Sequence, residues 1–124
     1  MKETERQDLE DRLVDFAVRI SALVRTLPCD IMGKYLASQL IRSGFSPALN
    51  YGEAKSAESA SDFIHKMKIA LKELRETFIA LKIIRKSAIL EQNQLLEDCI
   101  RENNELISIF VKSIHTAVGN RNHK

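Results

Sequence analysis

The chain has 124 residues, the size of one domain, is 44% hydrophobic and 29% charged, and carries a formal charge of +2, as an ordinary soluble globular protein does. Five Phe, two Tyr and no Trp give little surface for stacking many bases or sugars. The polar, acidic start MKETERQDLEDR is the opposite of a secretory signal, and no apolar run nears the roughly 18 residues of a membrane span; the expected compartment is the cytoplasm, with no membrane partner.

Apolar residues recur at helical spacing along most of the chain. The first run is Leu9, Leu13, Phe16, Ile20, Leu23 and Leu27, stepping by four and three, and Pro28 stops that helix. Asp30 is placed to cap a second helix through Ile31, Leu36 and Leu40. Gly44 and Pro47 interrupt it: Pro47 cannot donate to the Ser43 carbonyl and its ring crowds that group, so a kink or short break is expected before the pattern resumes to about Lys55. Ser59 is placed to cap a third helix, with Asp62 complementing its dipole. Its core stripe is Phe63, Met67, Ala70, Leu74, Phe78, Leu81 and Ile84. A loop near residues 87–92 leads to a last helix with Leu96, Ile100, Ile107, Phe110, Ile114 and Ala117 on one face. Gly119 is expected to end it, leaving a polar tail.

Four helical segments joined by short links make antiparallel neighbours. The expected fold is all-α: one antiparallel up-and-down four-helix bundle over residues 1–124, with a kinked second helix and short polar tails at about 1–6 and 119–124. Apolar residues also lie beside the main stripes: Val14, Val18 and Val24; Ile64, Leu71, Ile79 and Ile83; Leu95, Leu106 and Ile109. Two readings stand, a wide monomer core or self-association through a second face. Polar substitution at Ile79 or Ile83 is expected to lower the mass under the second.

The segments QLIRSGFSPALNYGEA, SASDFIHKMKIALKEL and ELISIFVKSIHTA carry a fixed pattern of polar residues on helices. By them the chain, from about Leu9 to Val118, resembles the bacterial four-helix bundle family first met as open reading frames within intervening sequences of large-subunit ribosomal RNA genes. The resemblance implies an up-and-down bundle assembled as a homopentamer, with no known enzymatic activity and no cofactor. A related branch comprises accessory proteins of diversity-generating retroelements. These are strongly basic pentamers that bind nucleic acid and a reverse transcriptase, which makes RNA, DNA, a reverse transcriptase or another protein the implied partners.

Charge is uneven along the chain. Residues 63–90 hold seven cations, Lys66, Lys68, Lys72, Arg75, Lys82, Arg85 and Lys86, against Glu73 and Glu76, whereas the rest is slightly acidic. The third helix reads as a basic rod, and these seven are the candidate nucleic-acid-binding residues, since repeated cations on one face release counterions from a phosphate backbone. The plainer reading is a solvated face with local pairs such as Lys72 and Glu76, each worth about 0.3–0.5 kcal/mol.

The signature polars Arg42, Asn50, Glu53, Asp62, Lys66 and Glu73 read as a structural network that satisfies backbone near the Gly44–Pro47 interruption and sets helix register or subunit contact. A small-ligand or catalytic site is the alternative, but no nucleophile motif accompanies them. His65, His115 and His123 lack metal-ligand spacing, and no glycine-rich phosphate loop is present. Cys29 and Cys99, 70 positions apart, read as unpaired thiols, one near a turn and one on an apolar helix face. No catalytic or metal site is expected. The two functional classes are an oligomeric RNA- or DNA-binding accessory protein and an assembly scaffold without nucleic acid.

Overall fold

A computed structural model of the protein describes residues 3–91 and 93–122. It contains α1 (Glu3–Val24), α2 (Ile31–Lys55), α3 (Ala60–Ser87) and α4 (Gln94–Asn122). Each helix packs on its neighbours around a square: α1 on α2 and α4, α3 on α2 and α4. Cross-helix pairs give the directions. Glu10 meets Lys55 and Ile20 lies beside Gly44; Arg42 meets Glu73 while Glu53 meets Lys66. Arg85 meets Glu97, whereas Ser61 meets Arg121. Numbers rise on one helix as they fall on the next, so α1 to α4 alternate up and down, the expected antiparallel bundle.

Side chains and breakers set the helix ends. Beyond Val24 the chain keeps turning, with Thr26 N–H donating to the Leu23 carbonyl and Leu27 N–H to that of Val24, before Pro28. Asp30 Oδ1 accepts from the Gly33 N–H at 2.8 Å and Ser59 Oγ from the Asp62 N–H at 3.0 Å, the two caps expected from sequence. A third cap was not anticipated: Asn93 Oδ1 accepts from the Leu96 N–H at 2.7 Å. α3 ends at Ala88, whose φ of 55° is left-handed.

The core repeats along α1, α3 and α4 much as their spacing requires. Leu9, Leu13, Phe16, Ile20, Leu23 and Leu27 are all buried, each contributing on the order of 1.5–3 kcal/mol relative to exposure. Tyr51 of α2 and Phe110 of α4 are buried and pack edge-on across the middle of the bundle, centroids 6.2 Å apart. α2 differs. Its inner face is Gly33, Leu36, Leu40, Ser43, Gly44, Pro47, Tyr51 and Ala54, where glycine, serine, alanine and proline take places that large apolar residues hold on the other helices. A Cβ on Gly44 would lie 3.0 Å from Ile20 Cγ2, so glycine there lets α1 and α2 close.

The structure corrects three expectations. Ile31, placed on the core stripe, is 89% exposed, because the inward stripe starts at Gly33 and Ile31 falls on the opposite side of the turn. Of the kink or short break expected at Pro47, the break does not occur: α2 runs unbroken from Ile31 to Lys55 with Pro47 inside it. Side chains bond back to the backbone around it: the Ser43 hydroxyl donates to the Gln39 carbonyl at 2.9 Å and the Asn50 amide to the Ser46 carbonyl at 3.1 Å. Gly119 does not end α4, which continues to Asn122; Arg121 there donates to Ser61 Oγ on α3 at 3.4 Å.

Candidate nucleic-acid interface on the third helix

The seven cations of α3 separate by what they touch. Lys66 donates to Glu53 at 3.1 Å, Arg85 to Glu97 at 3.3 Å, and the Lys82 ammonium sits 5.1 Å from the centre of the Phe78 ring. These three are committed within the chain. Lys68, Lys72, Arg75 and Lys86 are exposed and make no ion pair within 4 Å with any described residue, although Lys72 lies near enough to Glu73 and Glu76 to favour the charged form of both. Residues 68, 72, 75, 79, 83 and 86 step by four and three, so they form one outward stripe: cations at both ends, with Ile79 and Ile83 between them. Ile79 is 53% exposed and Ile83 48%.

Beside this stripe runs an open groove of about 780 Å³ between α3 and α4. Leu71, Ile79, Val111, Ile114 and Val118 form its apolar floor, with Lys68, Lys72 and Arg75 on one wall and His115 on the other. Glu76 is the one carboxylate among the described lining residues, and Arg42 of α2 already holds it at 2.8 Å. The groove is therefore apolar at its base and positive along its α3 edge.

The residues expected to form one polar network occupy separate places. The Arg42 guanidinium bridges Glu73 at 3.1 Å and Glu76 at 2.8 Å, clasping α2 to α3, and is itself held above its ordinary pKa, chiefly by its bond to Glu76. That same bond holds the Glu76 carboxyl below its usual range, while burial, then repulsion from Glu76, pushes Glu73 up. Glu53 joins Lys66 in a second α2–α3 pair. Asn50 bonds Ser46 within its own helix, at 2.8 Å to the hydroxyl, and Asp62 stands in the first turn of α3. His65 and His115 are exposed, and His123 lies outside the described residues. Cys29 is exposed and Cys99 buried, both free thiols. No group of three or more His, Cys, Asp or Glu side chains suited to a metal ion occurs among the described residues, and no helix is long and apolar enough to cross a membrane.

Several polar contacts escaped the sequence reading. Arg12 donates to both carboxylate oxygens of Glu102, at 3.0 and 2.7 Å, and to Glu105 at 2.9 Å, joining α1 to α4; nothing in a single sequence marks such a distant pair. Ser43 and Thr77, both buried, place their hydroxyl oxygens 2.8 Å apart between α2 and α3. Asn103 is wholly buried on α4. Its signal was available, because position 103 continues the stripe of Ile100 and Phe110.

Comparison with known proteins agrees with this architecture. Residues 6–112 match the family model described as 23S rRNA-intervening sequence protein. A crystal structure of a protein of unknown function from the S23 ribosomal protein family of Bacteroides thetaiotaomicron is similar with a TM-score of 0.77 and 31% identity, over 89% of this chain and 97% of that one. Among curated proteins none matches the chain.

Proposed function

This chain belongs to the 23S rRNA-intervening sequence protein family, and on that premise we propose that it is a non-enzymatic bundle that assembles with copies of itself and binds nucleic acid through the outer face of α3. The observation that carries the reading is the set of four cations, Lys68, Lys72, Arg75 and Lys86, left without an ion-pair partner on one helix face. Lys68 to Lys86 spans about 27 Å at 1.5 Å per residue, long enough to follow several phosphates of a duplex. The contact is with backbone phosphate, so it is insensitive to sequence and steeply salt-dependent. Self-assembly is supported by Val14, Val18, Ile79, Ile83 and Val111, each between 43% and 61% exposed, and it repeats the cationic face once per copy. Against catalysis stands the makeup of the groove, whose carboxylate Glu76 is tied to Arg42 rather than poised as an acid or base.

Titration of nuclease-treated protein with labelled duplex DNA and structured RNA at several salt concentrations tests the proposal. Binding is expected, and Lys68→Glu/Lys72→Glu should weaken it for every sequence and lower the duplex log–log salt slope by about 1.8, close to 0.9 per lost phosphate contact. Absence of binding at low salt overturns it. The protein is then a scaffold for another protein, a reading that the exposed Tyr35 and Leu49 on α2, each 68% exposed, favours.

A further inference from the structure

We propose that the end of the bundle where α2 gives way to α3 holds a binding site for a small organic anion with a compact apolar body. The site is a cavity of about 580 Å³ between the last turns of α2, the start of α3 and the second half of α4, a size typical of small-molecule sites. It shares no lining residue with the groove between α3 and α4, so it stands apart from the surface assigned to phosphate.

The space exists because small side chains meet there. Ala54 and Ala57 line it from the α2 side, Ser113 and Ala117 from α4. One turn earlier on each helix, Tyr51 and Phe110 fill the middle of the bundle by packing edge-on. Phe63 of α3 and Ile109 of α4 complete an apolar base, and an apolar body that displaces water from it is drawn in by the effect that builds the core. α4 presents its wall in two rows four residues apart. Ile109, Ser113 and Ala117 are half-buried, while Lys112, Thr116 and Asn120 stand exposed along the rim.

The polar groups of that wall are uncommitted. The hydroxyls of Ser21, Ser43, Thr77 and Ser108 turn back to a carbonyl three or four residues earlier. Those of Ser113 and Thr116 bond to no described residue, and neither does the Asn120 amide. Lys112 closes no ion pair within 4 Å with any described residue. Across the cavity Lys55 is held in place, paired with Glu10 and with its ammonium 5.6 Å from the centre of the Tyr51 ring. Glu10 lies outside the lining, and the described lining residues include no carboxylate. Two ammoniums, two hydroxyls and an amide around an apolar base suit a carboxylate, whose oxygens accept from all of them. A cation would find no anionic partner there.

Isothermal titration calorimetry of the full chain with naphthoate, and with neutral naphthol of the same ring size, tests the site. One naphthoate per chain is expected, with a Kd on the order of 0.1 mM for a ligand so small. Naphthol should bind about tenfold more weakly, and Lys112→Glu should weaken naphthoate binding by about tenfold or more. Ser113→Phe, which puts a ring in the ligand's place, should abolish binding with helicity unchanged by circular dichroism. If that variant loses helicity, Lys112→Glu at the exposed rim decides alone. Ile79→Asp, in the other groove, should leave naphthoate binding as in the wild type. Loss in Ile79→Asp with retention in Lys112→Glu would move the ligand to the α3–α4 groove and overturn the assignment. Equal affinity for naphthol and naphthoate would overturn it as well, as would absence of naphthoate binding in the millimolar range.

Discussion

Asn103 of α4 donates its side-chain amide to the main-chain carbonyl of Leu74 on α3 at 3.1 Å, a buried cross-helix bond. Its own Oδ1 is buried and finds no partner among the described residues. Burying an unsatisfied carbonyl costs about 1–3 kcal/mol, more than one neutral hydrogen bond returns. Asn103→Leu, similar in size and fully apolar, is therefore expected to raise stability by about 1–2 kcal/mol, seen as a higher urea midpoint. A lower midpoint would mean that the bond to Leu74 outweighs the orphaned oxygen. A single buried polar residue can also fix helix register, so the variant's mass and near-ultraviolet dichroism belong in the same experiment.

The glycines make a graded series. A Cβ on Gly33 would fall 1.8 Å from the Pro28 carbonyl oxygen, a backbone atom that cannot swing aside. On Gly44 it would meet Ile20 Cγ2 at 3.0 Å, the branch of a side chain that gives by a few tenths of an ångström. At Gly52 it meets nothing within 4 Å. Gly33→Ala should cost about 3 kcal/mol and Gly44→Ala about 1 kcal/mol, while Gly52→Ala, relieving the entropic cost of glycine in a helix, should add about 0.5–1 kcal/mol. Thermal midpoints in the order Gly52→Ala, wild type, Gly44→Ala, Gly33→Ala check it; any exchange of the outer two refutes the packing described.

Most of the fold was legible because α1, α3 and α4 mark their inner faces with large apolar residues at helical spacing, and because Asp30 and Ser59 mark the starts of α2 and α3 as caps. α2 was less so. Its inward face is marked by Gly33, Ser43, Gly44 and Pro47, residues chosen for closeness of approach, while Ile31, Tyr35 and Leu49 point outward. Hydrophobicity alone therefore assigns Ile31 to the wrong side. The candidate site was legible as a count of cations and no further. That Lys66, Lys82 and Arg85 are held within the chain, whereas Lys68, Lys72, Arg75 and Lys86 close no ion pair within 4 Å, depends on Glu53, Phe78 and Glu97 reaching the first three. Two of those partners lie on other helices, and no local pattern announces them.

Glu73 and Glu76 share one guanidinium and respond to acid in opposite senses. Arg42 holds Glu76 below its usual value, so its stabilisation is present above the unfolded carboxylate range and is lost as pH falls through the lowered folded value. Glu73 is held up, mainly by burial, and its side chain is 12% exposed against 33% for Glu76. Its contribution is present below the unfolded value and is lost as pH rises through the raised folded value. At pH 7, Glu76→Gln should lower the urea midpoint and Glu73→Gln should leave it unchanged or raise it. Near pH 3, roughly a unit below the carboxylate range, both differences should shrink. Equal losses from the two substitutions at pH 7 would show that Arg42 serves them alike.

The two thiols should separate cleanly in reactivity. Cys29 is exposed in the α1–α2 connection, whereas Cys99 is wholly buried on α4. Burial pushes the Cys99 thiol up to about 11, only partly offset by Arg19, so at pH 8 it is almost entirely the unreactive protonated form, and it is shielded as well. A chromogenic disulfide reagent should titrate one thiol per chain in the native protein and two in denaturant. The slow second thiol then reports opening of the α4 core, and its rate should fall in Asn103→Leu if that substitution stabilises the bundle as argued. Fast release of both thiols from the folded protein would mean that α4 opens far more readily than its buried stripe implies.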